Sequence, residues 1–264
     1  MDDLHPNEDR NFDDLAKRFM KNIYGTKKGR LRLTLLNEDL RTHVPDLFEG
    51  DDAKNILDAG CGMAQIGCDL AELGHRVHFC DLSKRMLDQA RSLSESMGVA
   101  KSCRFSHGPF QEVIKAEGAA YDFIISHAVL EWLAEPEASL SELVSSLAPG
   151  GTLSLMFYNA NCLVYRNAIY GNFRKVMSGN FRGIKNSFTP LNPLNPEAVT
   201  SWIDNLGLTI LQKTGIRVFT DYMPKPTLAD RSFEDTLAVE KQYCRTEPFA
   251  SLGRYIHLVC KKEG

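Results

Sequence analysis

No two of the seven cysteines, at positions 61, 68, 80, 103, 162, 244 and 260, stand in CxxC spacing. An odd number without that pairing argues against both a disulfide framework and a zinc ribbon, so reduced thiols in the cytoplasm are expected, with no metal. Long apolar runs are missing too, so no membrane partner is expected. The first twenty residues, rich in Asp and broken by Lys and Arg, lack the apolar centre of a secretory leader. A more local absence is that of acid: no Asp or Glu occurs from Leu143 to Pro196.

What fills that acid-free window is basic and aromatic. Arg166, Arg174, Lys175, Arg182 and Lys185 lie in it, interleaved with Tyr165, Tyr170, Phe173 and Phe181. That mixture is expected where phosphates are neutralised and bases stack, and the overall charge of −3 conceals it. A second basic cluster, Lys27, Lys28, Arg30 and Arg32, lies near the amino end. The 264 residues, 43% hydrophobic, suffice for one large α/β domain. We read 1–264 as a single domain, with an amino-terminal helical cap over 1–50 and a basic insertion over 160–195 on the substrate side. Met1 to Asp9 reads as a frayed leader.

The stretch LDAGCGMAQ, Leu57 to Gln65, organises the rest. Asn55 to Leu57 reads as the end of a buried strand, Gly60 and Gly62 as a sharp turn, and Ala64 to Leu73 as a helix. Glycine lets a ligand lie against the backbone, and free N–H groups at a helix start can face it. The next strand ends in Asp81, about 20 residues on, where a carboxylate accepts both hydroxyls of a ribose. An adenosine cofactor is implied. A nicotinamide fingerprint needs glycine where Gln65 stands, whereas the DxGxG of Asp58 to Gly62 resembles the loop of class I S-adenosylmethionine-dependent methyltransferases.

Strand and helix then alternate, the pattern of a doubly wound parallel sheet. Strands are expected at 55–59, 76–81, 103–107, 121–126, 152–158, 208–219 and 254–261. Helical stripes are expected at Asn11 to Asn22 and Leu31 to Leu40, with the basic YGTKKGR turn between them. Ser83 is positioned to cap a helix that Gly98 stops. Helices are also expected at Pro196 to Leu206 and Ala229 to Tyr243, and the insertion after the fifth strand is expected over the substrate mouth. Phe110 and Gln111 lie at a strand's carboxyl end, where adenine can stack or donate its amino group, although Phe110 fits plain core equally. His127 ends the fourth strand on the cofactor side, as ligand contact or as a structural histidine. Arg32 either reaches a methionine carboxylate or sits on the surface. No NPPY-like sequence follows the fourth strand, and Cys162 lacks a preceding proline, which argues against exocyclic-amine and pyrimidine C5 methylation.

Beyond the glycine loop, NIYGTKKGRLR, HAVLEWL, PGGTLSLMFYNA and YCRTEPFASLGRYIH resemble the bacterial tRNA 5-carboxymethoxyuridine methyltransferase family from about Asp9 to Lys261. The resemblance implies a Rossmann-like, seven-stranded, mostly parallel sheet and S-adenosylmethionine as cofactor, held by Arg32, Gly60, Cys61, Asp81, Phe110 and His127, to which the glycine turn and the strand-end position add Gly62 and Gln111. It further implies methyl transfer to the carboxylate of 5-carboxymethoxyuridine in the anticodon stem-loop of tRNA. A carboxylate with a pKa near ~4 is already ionised, so positioning rather than proton removal is the task. Candidates for substrate contact are Tyr158, Asn159, Arg166, Arg174, Arg182, Arg217 and Arg254. A small-molecule O-methyltransferase, or a silent cofactor-sensing RNA-binding module, shares the same features.

Overall fold

In the computed structural model, residues 9–14, 26–118, 120–183 and 189–264 are described. Seven strands form one sheet in the order β3-β2-β1-β4-β5-β7-β6. Its strands are β1 (Asn55–Ala59), β2 (Arg76–Asp81), β3 (Cys103–His107), β4 (Tyr121–His127), β5 (Leu147–Tyr158), β6 (Leu208–Ile216) and β7 (Tyr255–Lys262). Strands β1 to β5 pair in parallel, while β7 runs antiparallel to both β5 and β6. The strand order reverses between β1 and β4, and a crevice opens there at the carboxyl ends.

Helices cover both faces. On one side α1 (Lys27–His43), α2 (Gln65–Glu72) and α3 (Lys84–Ser96) pack Leu31, Leu35, Leu36, Leu70 and Ala90 against Ile56, Phe79, Phe123 and Val259. On the other, α4 (Phe110–Glu117), α5 (Pro136–Ser145) and a later helix, Pro196–Asn205, bury Val113, Leu140, Leu143 and Ile203 against Leu57, Ile124, Leu155 and Leu258. Alternate strand residues feed each layer, as the two-residue period requires. The Ser83 hydroxyl accepts from the Met86 N–H at the start of α3, a cap worth about 1 kcal/mol, and Gly98 follows that helix at φ +75°.

Several expected boundaries move, each for a local reason. Strand β6 stops at Ile216 rather than 219. Arg217 takes φ +65°, and the buried Glu240 carboxylate captures the next three N–H groups, those of Val218, Phe219 and Thr220. Strand β5 starts before the Pro149–Gly151 turn, which is absorbed as an irregularity in its pairing with β4. Lys27 to Arg30, expected in a turn, form the first turn of α1 instead, capped by Thr26. Their charges oppose the helix dipole, and Lys28 is compensated by an ion pair to Asp221 while Arg30 lies 4.0 Å from the Phe233 ring centroid. The crossing expected from Ala229 to Tyr243 is broken after Ala229, and α-helix resumes at Phe233–Tyr243 with Ser232 as its cap. Of the stripe expected from Asn11 to Asn22, Asn11 to Asp14 are not helical and 15–22 lie outside the described residues.

Beyond β5 the acid-free segment forms α6 (Ala160–Ile169) and α7 (Phe173–Ser178), followed in chain order by α8, the Pro196–Asn205 helix already placed. Lys185 lies outside the described residues.

Candidate cofactor and substrate site

The glycine loop is fastened to the end of β2. Gly60 and Cys61 both donate their N–H to the Cys80 carbonyl, at 2.9 and 3.0 Å. Gly62 donates to Asp81 Oδ2 at 2.9 Å, and Ser83 N–H donates to Oδ1 at 2.8 Å. These three loop N–H groups are therefore taken up in holding the loop. Gly60 holds φ +70°, and a Cβ there would stand 2.6 Å from Val129, so the close approach of two loops demands glycine. The glycine within α2 has the same cause. A Cβ on Gly67 would meet the Phe79 ring at 2.4 Å and the Asp58 carboxylate at 2.8 Å.

At the sheet's switch point a single cavity collects Arg32, Gly60, Cys61, Gly62, Asp81, Phe110, Gln111 and His127, all eight residues expected at the cofactor, together with Tyr158. Its chemistry fits an adenosyl amino acid. Asp81 stands at the end of β2 with one lone pair on each oxygen unused by Gly62 and Ser83. Gln111 gives its amide N–H to Ser139 at 3.0 Å, while its carbonyl Oε1 is buried without a donor, as an exocyclic amine would require. Phe110 is 4% exposed, so it serves as cavity wall and core at once. Burial pushes the His127 imidazole well below its ordinary pKa, aided by His257 and Arg32, so it is neutral.

Sequence reasoning missed part of this wall. Asp9, Arg10 and Phe12 line the cavity, and the strand of chain they belong to ties two loops together. Asp9 accepts from Ala134 N–H, Arg10 N–H donates to the Trp132 carbonyl, and Phe12 meets Trp132 edge-on at 4.7 Å. On the opposite lip Asn11 donates to the Leu82 carbonyl and Ser83 donates to Asp13 at 2.6 Å. Asp9 is thus no part of a frayed leader. Glu131 was missed as well. It is fully buried in the cavity wall with neither carboxylate oxygen in a well-formed hydrogen bond, and burial pushes it up to about 8 against a weaker opposing pull from the N–H groups of Glu131 and Tyr158. Asp58 is pushed up to about 8 by burial and by Asp81.

The residues expected at the substrate divide. Tyr158 lines the cavity with its hydroxyl buried and unpartnered. Arg254 lies 4.5 Å from the Tyr158 ring centroid and Arg217 lies 5.3 Å from that of Tyr255, another wall residue, so both stand directly behind the cavity. Asp221 is shared between them: burial would raise its pKa, yet Arg217, Arg254 and Lys28 hold it down at about 2. Arg166 donates from Nε to the Asp221 carbonyl at 3.3 Å. Asn159 is drawn elsewhere. Its amide donates to the Ser251 and Gly253 carbonyls and its oxygen caps α6 at Asn161, leaving it buried as a structural hinge. Arg174 and Arg182 are exposed and do not line the cavity.

The chain is 43% identical to the tRNA 5-carboxymethoxyuridine methyltransferase of Escherichia coli (strain K12) over 97% of both proteins. It belongs to that family. A family model described as a methyltransferase domain also matches residues 57–155. A ubiquinone biosynthesis O-methyltransferase from Dinoroseobacter shibae is similar at 29% identity over 71% of each chain. Among solved structures, magnesium protoporphyrin IX methyltransferase from Synechocystis PCC 6803, with bound SAH, superposes with a TM-score of 0.64, at 16% identity and 96% coverage of both chains. The fold is that of class I methyltransferases, and the enzyme is a methyltransferase whose methyl donor is S-adenosylmethionine.

Proposed function

We propose that this chain methylates the carboxylate of 5-carboxymethoxyuridine at the wobble position of tRNA, in the cytoplasm, reading the anticodon stem-loop, and that all 264 residues form one domain. The observation that carries this reading is the identity of 43% across almost the whole chain, which includes the substrate side as well as the cofactor loop. When bound, S-adenosylmethionine supplies a methyl group on a positive sulfur. The protein's own work is then placement. Asp81 and Gln111 hold the adenosine, and Arg32 holds the carboxylate of the methionine part. The wall of Phe12, Phe110 and Trp132 excludes water, which strengthens every charge interaction inside.

At the other end the acceptor is already an anion, and no base has to remove a proton. Arg217 and Arg254, with Lys28 and Asp221 around them, leave a net positive field behind Tyr158 and Tyr255. That field draws a carboxylate to the mouth without quenching it by a tight bidentate clamp. Tyr165, Tyr170, Phe173 and Met177 are exposed on α6, α7 and the turn between them, beside Arg166, Arg174 and Lys175. An apolar and basic surface of this kind suits unstacked anticodon bases and their phosphates. Mass spectrometry of tRNA nucleosides from a strain lacking the gene tests the reading. Loss of the methyl ester with gain of the free acid is expected; an unchanged ester would overturn it. Methylation of a small phenol or carboxylic acid at tRNA-like efficiency would instead favour the O-methyltransferase reading that the ubiquinone-pathway relative represents.

A further inference from the structure

A chain of hydrogen bonds runs from the cavity to the surface through the buried face of the sheet. His127 Nε2 and Ser154 Oγ are 2.8 Å apart, and Ser154 Oγ and His257 Nε2 are 2.9 Å apart. His257 Nδ1 meets Asp39 Oδ2 at 2.8 Å, and Asp39 Oδ1 accepts from Arg245 Nε at 2.8 Å. The sheet register explains the alignment. His127, Met156 and His257 occupy one row across β4, β5 and β7, with Ser154 one pleat away between the two imidazoles. Asp39 descends from α1, two turns beyond Arg32. Ser154, Asp39 and His257 are no more than 1% exposed.

We propose that Asp39, His257 and Ser154 are positioning residues that fix His127 as its Nε2–H tautomer, so that Nδ1 is offered to the cavity as an acceptor for a cationic amino group. The polarity follows from the anchored end. Asp39 is ionised, since His257 and Arg245 outweigh the burial that opposes its charge, so its carboxylate only accepts and His257 Nδ1 must carry the proton. With Nδ1 as the donor to Asp39, the relay has His257 Nε2 accept the Ser154 O–H, and Ser154 Oγ in turn accept from His127 Nε2–H. No donor among the described residues reaches His127 Nδ1. The ligand that fits carries an ammonium and a carboxylate together, the latter facing Arg32 in the same cavity. The inference deepens the cofactor assignment and rests on it.

Two measurements separate the relay from the site it serves. Nitrogen-15 NMR on ligand-free protein reads the His127 tautomer directly. Nε2–H is expected in the parent and a mixed population in Ser154→Ala, with Ser154→Thr restoring the parent signal. Calorimetry with S-adenosylhomocysteine is expected to show Ser154→Ala binding about fivefold more weakly, the loss of roughly one hydrogen bond, with Ser154→Thr recovering affinity. An Nδ1–H tautomer in the parent, or a Ser154→Ala variant indistinguishable from it by both measurements, overturns the relay. Failure of the parent itself to bind would strike the cofactor assignment, and the tautomer result would still stand or fall by itself.

Discussion

Asp81 has two tasks at once, since its oxygens hold the Gly62 and Ser83 amides and the same carboxylate faces the cavity. Asp81→Ala is therefore expected to lower affinity for S-adenosylhomocysteine at least tenfold by calorimetry, because the ribose loses its acceptor and the glycine loop loosens together. Unchanged affinity would refute the ribose assignment. Glu131 leads to a different expectation. Its pKa rises from 4.5 to about 8 on folding, so the stabilising protonated form is complete below about 4.5 and is lost as pH climbs through 8. Parent protein should lose stability across that window, and Glu131→Gln should match the parent at pH 5 yet exceed it by a few kcal/mol at pH 8.5, at ~1.4 kcal/mol per pKa unit. Urea unfolding at both pH values checks this; parallel pH profiles would remove Glu131 as the source. Its role was illegible in the sequence because a glutamate amid VLEWL looks like a charge at a turn, and only the packing around it reveals that it is wholly buried.

At the scale of elements, the central strands were legible because most of their residues are buried and apolar, and the doubly wound order followed from the alternation of strands with helices. What escaped was determined from outside each segment. The end of β6 depends on Glu240, some twenty residues later, and the first turn of α1 is held by partners at Asp221 and Phe233. Asn159 shows the same limit at the site: its place at the tip of β5 was right, but carbonyls from Ser251 and Gly253 claim its amide. The insertion remains a proposal with a direct test. Replacing Arg174 and Arg182 with alanine should weaken tRNA binding, lower the dependence of log affinity on log salt by about 1 for each phosphate no longer neutralised, and leave S-adenosylhomocysteine affinity unaltered. Salt titrations on both proteins measure it, and equal slopes would take the insertion out of phosphate recognition.

For the molecule as a whole, one helix joins the functions of the two sheet ends. Helix α1 supplies Arg32 to the cavity, Asp39 to the buried histidine chain and Lys28 to the basic cluster around Asp221. No helix among the described residues is long and apolar enough to cross a membrane. The segment from Asp9 to Asp14 was least visible beforehand, because its bonds reach partners about 70 and 125 residues away and leave no local pattern. Those bonds pin the same six residues to the lip beyond β2 and to the lip beyond β4. A nucleoside seated at the switch point would thus lie behind a clasp whose two ends are fastened to different lips, one beyond each of two strands that are not neighbours in the sheet.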